Sequence, residues 1–280
     1  MKAPDFRYER PDTLDAALHL LAEADGMAEP LAGGQSLMPM MNFRLAAPET
    51  LIDLNGLAEL SGVAVDEDWV RIGAMTRYSA LERHAEALDA LPLVARALPH
   101  IAHAAIRNRG TIGGSIALAD PAAEMPAILL ALGGEVVLKS ASAERIVQAD
   151  DYFLGVYETA RQPDELVTAV HLPRASSSQR FGFHEIVRRH GDYAMAGCML
   201  ALEADMSAVR IAFFGVADRP VRASDAENKL IESGGTSEDL DAAVAALASL
   251  GCDGDMNASE ATKRHLAGVA LRRAFVEVSA

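Results

Sequence analysis

Leu14, Ala17, Leu18 and Leu21 recur at the spacing of one helix face. Asp12 or Thr13 stands where a capping oxygen is wanted, and Gly26 stands where such a helix stops. A short apolar rise, Pro30-Leu31-Ala32, and a strand-like run, Thr50-Leu51-Ile52-Asp53-Leu54, complete a βαβ-like unit. From Asn55-Gly56 the texture changes. Val63-Ala64-Val65 and Trp69-Val70-Arg71-Ile72 flank Asp66-Glu67-Asp68 and predict a hairpin with a solvated tip. Ser79-Ala80-Leu81-Glu82 has capping-box form and predicts a helix to about Leu91, stopped by Pro92. One or two apolar helices follow through Ile106, and residues 107–115 read as a turn-rich loop. Residues 125–132 predict a helix ended by Gly133-Gly134, and residues 135–139, 145–147 and 166–172 predict strands.

Residues 173–179, Pro-Arg-Ala-Ser-Ser-Ser-Gln, are small and polar and form the best linker candidate, with a boundary near residue 175. Beyond it, residues 181–187, 194–203 and 210–216 are strand-like, and 222–232, 237–250 and 258–278 are helix-like. Strands first and helices later predict a small α+β domain.

The chain has 280 residues, of which 25 are basic and 40 acidic, leaving a formal charge of −15. Such a chain repels a phosphate backbone, and no basic run offers a local exception, so nucleic acid is not an expected partner. No apolar run reaches a membrane span, and the start, Met1-Lys2-Ala3-Pro4-Asp5, lacks the apolar stretch of a secretion signal. The expected location is the cytoplasm. Cys198 and Cys252 are the only cysteines. An iron–sulfur cluster or structural zinc site needs about four ligands, so any electron carrier here is organic and any metal cofactor sits on another chain.

Two stretches of similar make-up then stand out: Ala32-Gly33-Gly34-Gln35-Ser36 and Thr111-Ile112-Gly113-Gly114-Ser115. Paired glycines admit left-handed backbone and let a ligand approach main-chain N–H groups without a β-carbon in the way. Successive N–H groups form an anion nest, to which Ser36, Thr111 and Ser115 add hydroxyls; two converging loops suit a diphosphate. Each pair alone also reads as a plain tight turn. Neither a G-x-G-x-x-G after a strand nor a P-loop is present, so spacing by itself does not identify the ligand.

Five motifs, in order over nearly the whole chain, carry a resemblance. They are Leu31-Ala-Gly-Gly-Gln-Ser-Leu-Met-Pro-Met-Met, Leu51-Ile-Asp-Leu-Asn, Ile72-Gly-Ala-Met-Thr, Ile106-Arg-Asn-Arg-Gly-Thr-Ile-Gly-Gly-Ser and Arg188-Arg-His-Gly-Asp-Tyr-Ala. Jointly they resemble the FAD-binding medium subunit of molybdenum hydroxylases, of the carbon monoxide dehydrogenase and xanthine dehydrogenase type. The resemblance implies an α+β fold. A two-lobed FAD-binding domain of the vanillyl-alcohol-oxidase-like (PCMH) class covers residues 1–175, with lobes of about 1–55 and 56–175. Residues 176–280 follow as a small C-terminal domain of a three-stranded sheet and helices.

Carried over by motif, the implied FAD contacts are Leu31, Ala32, Gly33, Gly34, Gln35, Ser36, Leu37, Thr111, Ile112, Gly113, Gly114 and Ser115. Register adds Ile101 beside the cofactor, Glu124 for its ribose or adenine portion, and Val167 for the flavin ring. Tyr193 matches an aromatic position against the isoalloxazine, and reads equally as a tyrosine half-buried at a strand start. His184 aligns with a position that is cationic in some relatives. Gln35 after the first pair, with no cysteine near, implies noncovalent FAD.

The implied role is electron relay. A large molybdopterin subunit oxidises the substrate, a small [2Fe-2S] subunit passes the electrons on, and this chain delivers them to an external acceptor, within a dimer of heterotrimers. No catalytic side chain is expected here. The alternatives are a self-contained flavin oxidase of the PCMH class and a non-enzymatic nucleotide-binding or assembly protein. Other features read as structural: His100 and His103 as solvated or supporting histidines, Arg107 and Arg109 as phosphate, partner or loop-pinning groups, and Met38, Met40 and Met41 as packing.

Overall fold

The computed structural model of the protein describes residues 2–234 and 237–279. The N-terminal part holds two main sheets of opposite character and a two-stranded hairpin, Phe153–Gly155 with Glu158–Thr159. Arg7–Glu9, Thr50–Asp53 and Ala28–Leu31 form a three-stranded parallel sheet with Thr50–Asp53 in the middle. Parallel neighbours need a crossover. The helix Leu14–Glu23 carries the chain from Arg7–Glu9 past the central position to Ala28–Leu31, and the helix Leu37–Asn42 lies on the crossover back to Thr50–Asp53. The N-terminus of Leu14–Glu23 is capped by Thr13, whose Oγ1 accepts from the Ala16 N–H at 3.2 Å. Its buried residues are Leu14, Ala17, Leu18 and Leu21, the face that the sequence predicts.

The second sheet is antiparallel, in the order Val63–Val65, Trp69–Gly73, Leu166–Pro173, Glu135–Lys139 and Glu144–Gln148. The hairpin at its edge turns on Asp66, whose Oδ1 accepts from the N–H groups of Asp68 and Trp69. Between strands run short helices, among them Ala85–Ala90, Pro92–Ala97, Ile112–Leu118 and Glu124–Leu132, the last ended by Gly133 at φ +66°. The long helix expected from Ser79 is instead broken. One turn, Tyr78–Leu81, starts before Ser79 and has no side-chain cap, and His84 caps the next helix by accepting from the Ala87 N–H at its Nδ1 (3.2 Å). Tertiary contacts set that start: Tyr78 donates its N–H to the Gly110 carbonyl, and Arg77 pairs with Thr111 in an isolated bridge.

The C-terminal sheet runs Gln179–Ile186, Ala196–Glu203, Val209–Phe214 and Val221–Arg222, all antiparallel. The last, two-residue strand extends the three expected. Side chains alternate across it. Ala196, Cys198, Leu200 and Leu202 join the core under the C-terminal helices, whereas Met199, Phe181 and Phe183 join the core of the N-terminal half. Both faces are therefore covered, one by Glu124–Leu132 and the other by Glu260–Ser279. Cys198 and Cys252 are buried free thiols. Among the described residues no helix is long and apolar enough to cross a membrane.

Candidate functional site

The two glycine motifs meet where the parallel sheet abuts the antiparallel one. Gly33 and Gly34 follow the strand Ala28–Leu31 and lead into the helix Leu37–Asn42. A β-carbon on Gly33 would lie 2.2 Å from the Arg109 carbonyl oxygen and 2.9 Å from the Gly110 Cα, so only glycine permits this approach. Gly34 has φ +72°, a left-handed turn that a side chain would strain. The five consecutive N–H groups of residues 33–37 donate to no acceptor among the described residues. Gly33 is buried and the others are half-buried. Leaving such donors without partners is costly unless water or a ligand accepts from them.

The second motif is built differently from the loop that the sequence suggests. Gly113 and Gly114 form the first turn of the helix Ile112–Leu118, capped by Thr111, whose Oγ1 accepts from the Gly114 N–H at 3.1 Å. The Ile112 N–H donates to the Thr76 carbonyl (3.0 Å), Gly113 to Ala74 (2.8 Å) and Ser115 to Thr111 (3.2 Å). These donors are used within the protein, so a second main-chain nest does not form. Gly113 serves packing, since a β-carbon there would lie 2.4 Å from the Ala74 Cβ. A β-carbon on Gly114 would face the Ala32 Cβ at 3.6 Å, which sets this turn beside the first loop. The two motifs thus converge, one offering main-chain donors and the other close packing, with Thr111 buried as a cap and the Ser115 side chain bonded to Tyr78.

A polar strut fixes the first loop. Asn55 Nδ2 donates to the Ala32 carbonyl (2.9 Å) and to Asp53 Oδ1 (2.6 Å), and Asp53 also accepts from the Tyr8 hydroxyl. Arg77 reaches from Asn55 Oδ1 (3.4 Å) to the Asn108 carbonyl (2.9 Å), joining this strut to the second motif. Gln35 folds back, its Nε2 donating to the Gly33 carbonyl (3.1 Å).

The outlying residues fall as follows. Ile101 is buried, and Arg107 Nη1 donates to its carbonyl and to that of Ala102, both at 3.1 Å, while Arg107 Nε meets Glu82 at 2.6 Å. Arg107 is therefore a loop-pinning residue. Val167 lies at a bulge of the strand Leu166–Pro173, next to Thr168, whose carbonyl accepts from the Ala74 N–H (2.9 Å). Since Ala74 also packs on Gly113, Val167 belongs to the same junction. Glu124 is buried at the start of its helix. Burial raises its carboxyl to about 8, and the nearby Glu185 and Asp120 push the same way.

Tyr193 is 70% exposed, in the turn before the strand Ala196–Glu203, with Asp120, Tyr157 and Glu124 as electrostatic neighbours. The half-buried reading of this tyrosine does not hold. His184 points away, its Nε2 beside Arg273 Nη1 at 3.0 Å on the far face of the strand. Its neighbour Glu185 is what the sequence reading missed. The available signal was a carboxylate continuing the apolar alternation Phe181, Phe183. His100 pairs with Glu185 rather than with His103, and no His, Cys, Asp and Glu cluster able to hold a metal occurs among the described residues.

Against this geometry stand the comparisons with known proteins. The family described as the FAD binding domain in molybdopterin dehydrogenase matches residues 4–175, and the C-terminal domain of the carbon monoxide dehydrogenase flavoprotein matches residues 181–278. The nicotine 6-hydroxylase medium subunit of Paenarthrobacter nicotinovorans is 39% identical, the match covering 100% of this chain and 99% of that protein. The carbon monoxide dehydrogenase medium chain of Hydrogenophaga pseudoflava is 35% identical, over 98% of this chain and 97% of that one. A chain of a solved structure of that organism's carbon monoxide dehydrogenase superposes with a TM-score of 0.96, covering 100% of this chain and 99% of its own length at 35% identity.

Proposed function

The chain belongs to the FAD-binding family of molybdopterin dehydrogenases, as an oxidoreductase medium subunit, and from that premise we propose how it holds and uses the cofactor. The run of free N–H groups at residues 33–37, pressed by Gly33 against the second motif, carries the reading. Those donors, with the hydroxyls of Ser36 and the half-buried Ser115, would hold the FAD diphosphate without a basic patch, and Thr111 would set the turn beside it as its cap. Leu31, Ala32, Gly33, Gly34, Gln35, Ser36 and Leu37 form one wall of the site, and Thr111, Ile112, Gly113, Gly114 and Ser115 the other. Ile101 and Val167 supply apolar surface. Glu124, a carboxyl that is largely protonated at neutral pH, can both donate and accept, as a ribose hydroxyl or an adenine edge requires. Tyr193 is free to lie against the flavin ring and keep water from it.

When bound, FAD supplies a carrier that takes and releases electrons singly or in pairs. The chain's own share is to bind, orient and shield. Attachment is noncovalent, because Gln35 stands where a covalent link would need a nucleophile. Residues 1–175, in lobes 1–55 and 56–175, hold the cofactor, and residues 176–280 form the C-terminal domain. Electrons come from [2Fe-2S] clusters on a small subunit, ultimately from a molybdenum cofactor on a large subunit, within a dimer of heterotrimers in the cytoplasm. A self-contained oxidase fits less well, since the relatives above are named as medium subunits or chains. Purification with neighbouring subunits, followed by denaturation and quantification of released FAD, tests the reading. Flavin-free protein, or flavin turnover by the isolated chain with its own substrate, would contradict it.

A further inference from the structure

One polar arrangement is not absorbed by this reading. Glu185 continues the strand face of Phe181 and Phe183 into the junction between the C-terminal sheet and the N-terminal half, and its side chain is 3% exposed. Oε1 meets Nδ1 of His100 at 3.1 Å, whereas Oε2 is buried with no hydrogen-bond partner among the described residues. The His100 side chain, 40% exposed, links this carboxyl to solvent. Its ring is also edge-on to Phe183 at 4.9 Å and to His190 at 5.6 Å. The pair stands among residues assigned to the cofactor: His100 directly precedes Ile101, and Glu124 is an electrostatic neighbour of Glu185.

Resting on the FAD reading, we infer that Glu185 and His100 form a proton-exchanging unit of the flavin site. When electrons delivered by the redox partner place negative charge in the pocket, His100 takes a proton from water at Nε2 as it passes the Nδ1 proton to the Glu185 carboxylate, so the imidazole stays neutral and the proton is relayed. On reoxidation the proton returns by the same route. One proton moves for each cycle, and no bond to carbon forms or breaks. His100 is thereby the solvent-facing member and Glu185 the buried one.

Charge elsewhere tunes the pair without replacing it. His190, on the loop that follows the strand, favours the carboxylate, and Glu185 in turn helps to hold Glu124 protonated. Glu277 of the C-terminal helix acts on His100, and His184 lies behind the strand, coupled to His100 and to Arg273. Burial holds Glu185 up at about 7 and lowers His100, so the shared proton rests on the carboxyl below neutral pH and leaves it above.

The midpoint potential of the bound flavin, read spectroscopically on the intact holoprotein from about pH 6 to 9, tests this for wild type, Glu185→Gln and His100→Gln. The wild-type potential is expected to fall more steeply above about pH 7 than that of Glu185→Gln, because only the former takes up the additional proton. Equal slopes in a variant that retains FAD would overturn the inference. Infrared titration of the chain stripped of flavin covers a variant that fails to fold. Two protonated carboxyls should titrate near neutrality, at about 7 for Glu185 and about 8 for Glu124, and His100→Gln should move only the lower. An unmoved lower transition would also overturn it. Absence of FAD from the wild-type protein would instead sink the cofactor reading, and the infrared result distinguishes the two failures.

Discussion

Gly33 and Arg109 are in main-chain contact: a β-carbon on the glycine would stand 2.2 Å from the arginine carbonyl oxygen. Through this contact the first glycine loop is braced by the second motif while its own N–H groups stay free. Gly33→Ala must push the two apart. Overpacking of this kind costs about 1–3 kcal/mol, and FAD affinity is expected to fall by roughly 5- to 100-fold. Flavin-to-protein ratios after gel filtration at graded FAD concentrations check this, and unchanged retention would contradict it.

Gly113→Ala should behave differently, because its β-carbon meets Ala74 at 2.4 Å in a packed junction. The expected result is a lower thermal midpoint of the chain even without flavin. Adding Ala74→Gly should recover little, because the backbone Cα and carbonyl oxygen of residue 74, at 2.7 and 2.8 Å, still oppose the new β-carbon. Equal melting of wild type and the single variant would show that the junction is loose.

Asn55 ties the Ala32 carbonyl to Arg77 and Asp53. Asn55→Ala removes a strut and leaves the loop's shape less fixed. About 1 kcal/mol of binding should be lost, a weakening of roughly fivefold in Kd measured by fluorescence titration. A dissociation constant identical to wild type would remove the strut from the account.

The pH dependence of stability follows from Glu124. Its folded carboxyl, at about 8, lies above its unfolded value of 4.5, so the stabilisation is complete below pH 4.5 and is lost as pH rises through 8. Glu124→Gln should therefore stabilise the flavin-free chain at alkaline pH by on the order of a few kcal/mol and make little difference near pH 5. Chemical denaturation at both pH values checks the sign. A variant less stable than wild type at high pH would reverse the assignment.

Local chemistry made part of this legible in advance. The face Leu14, Ala17, Leu18, Leu21 and the Gly133 stop follow from spacing and backbone freedom alone. The Ser79 helix start failed because Arg77 and Tyr78 are held by Thr111 and Gly110, partners far along the chain. Gly113 and Gly114 read as loop because glycine is a poor helix former, yet the Thr111 cap and the seat on Ala74 outweigh that preference. Free and consumed N–H groups cannot be told apart from Gly-Gly pairs alone. Glu185 was hidden because its role depends on His100, which lies on an element distant in sequence.

Tyr193, at 70% exposure, buries little in the flavin-free chain. Tyr193→Ala should leave stability within about 0.5 kcal/mol of wild type while raising the fluorescence of bound flavin. Unchanged emission would mean that the ring does not stack there.

Amide hydrogen exchange with and without FAD probes the central claim most directly. The account predicts that residues 33–37, whose N–H groups have no acceptor among the described residues, exchange readily in the flavin-free chain and become protected when FAD binds. Residues 112–115 should be protected in both states, since their donors are already engaged. FAD binding that leaves residues 33–37 exchanging as before would contradict the account.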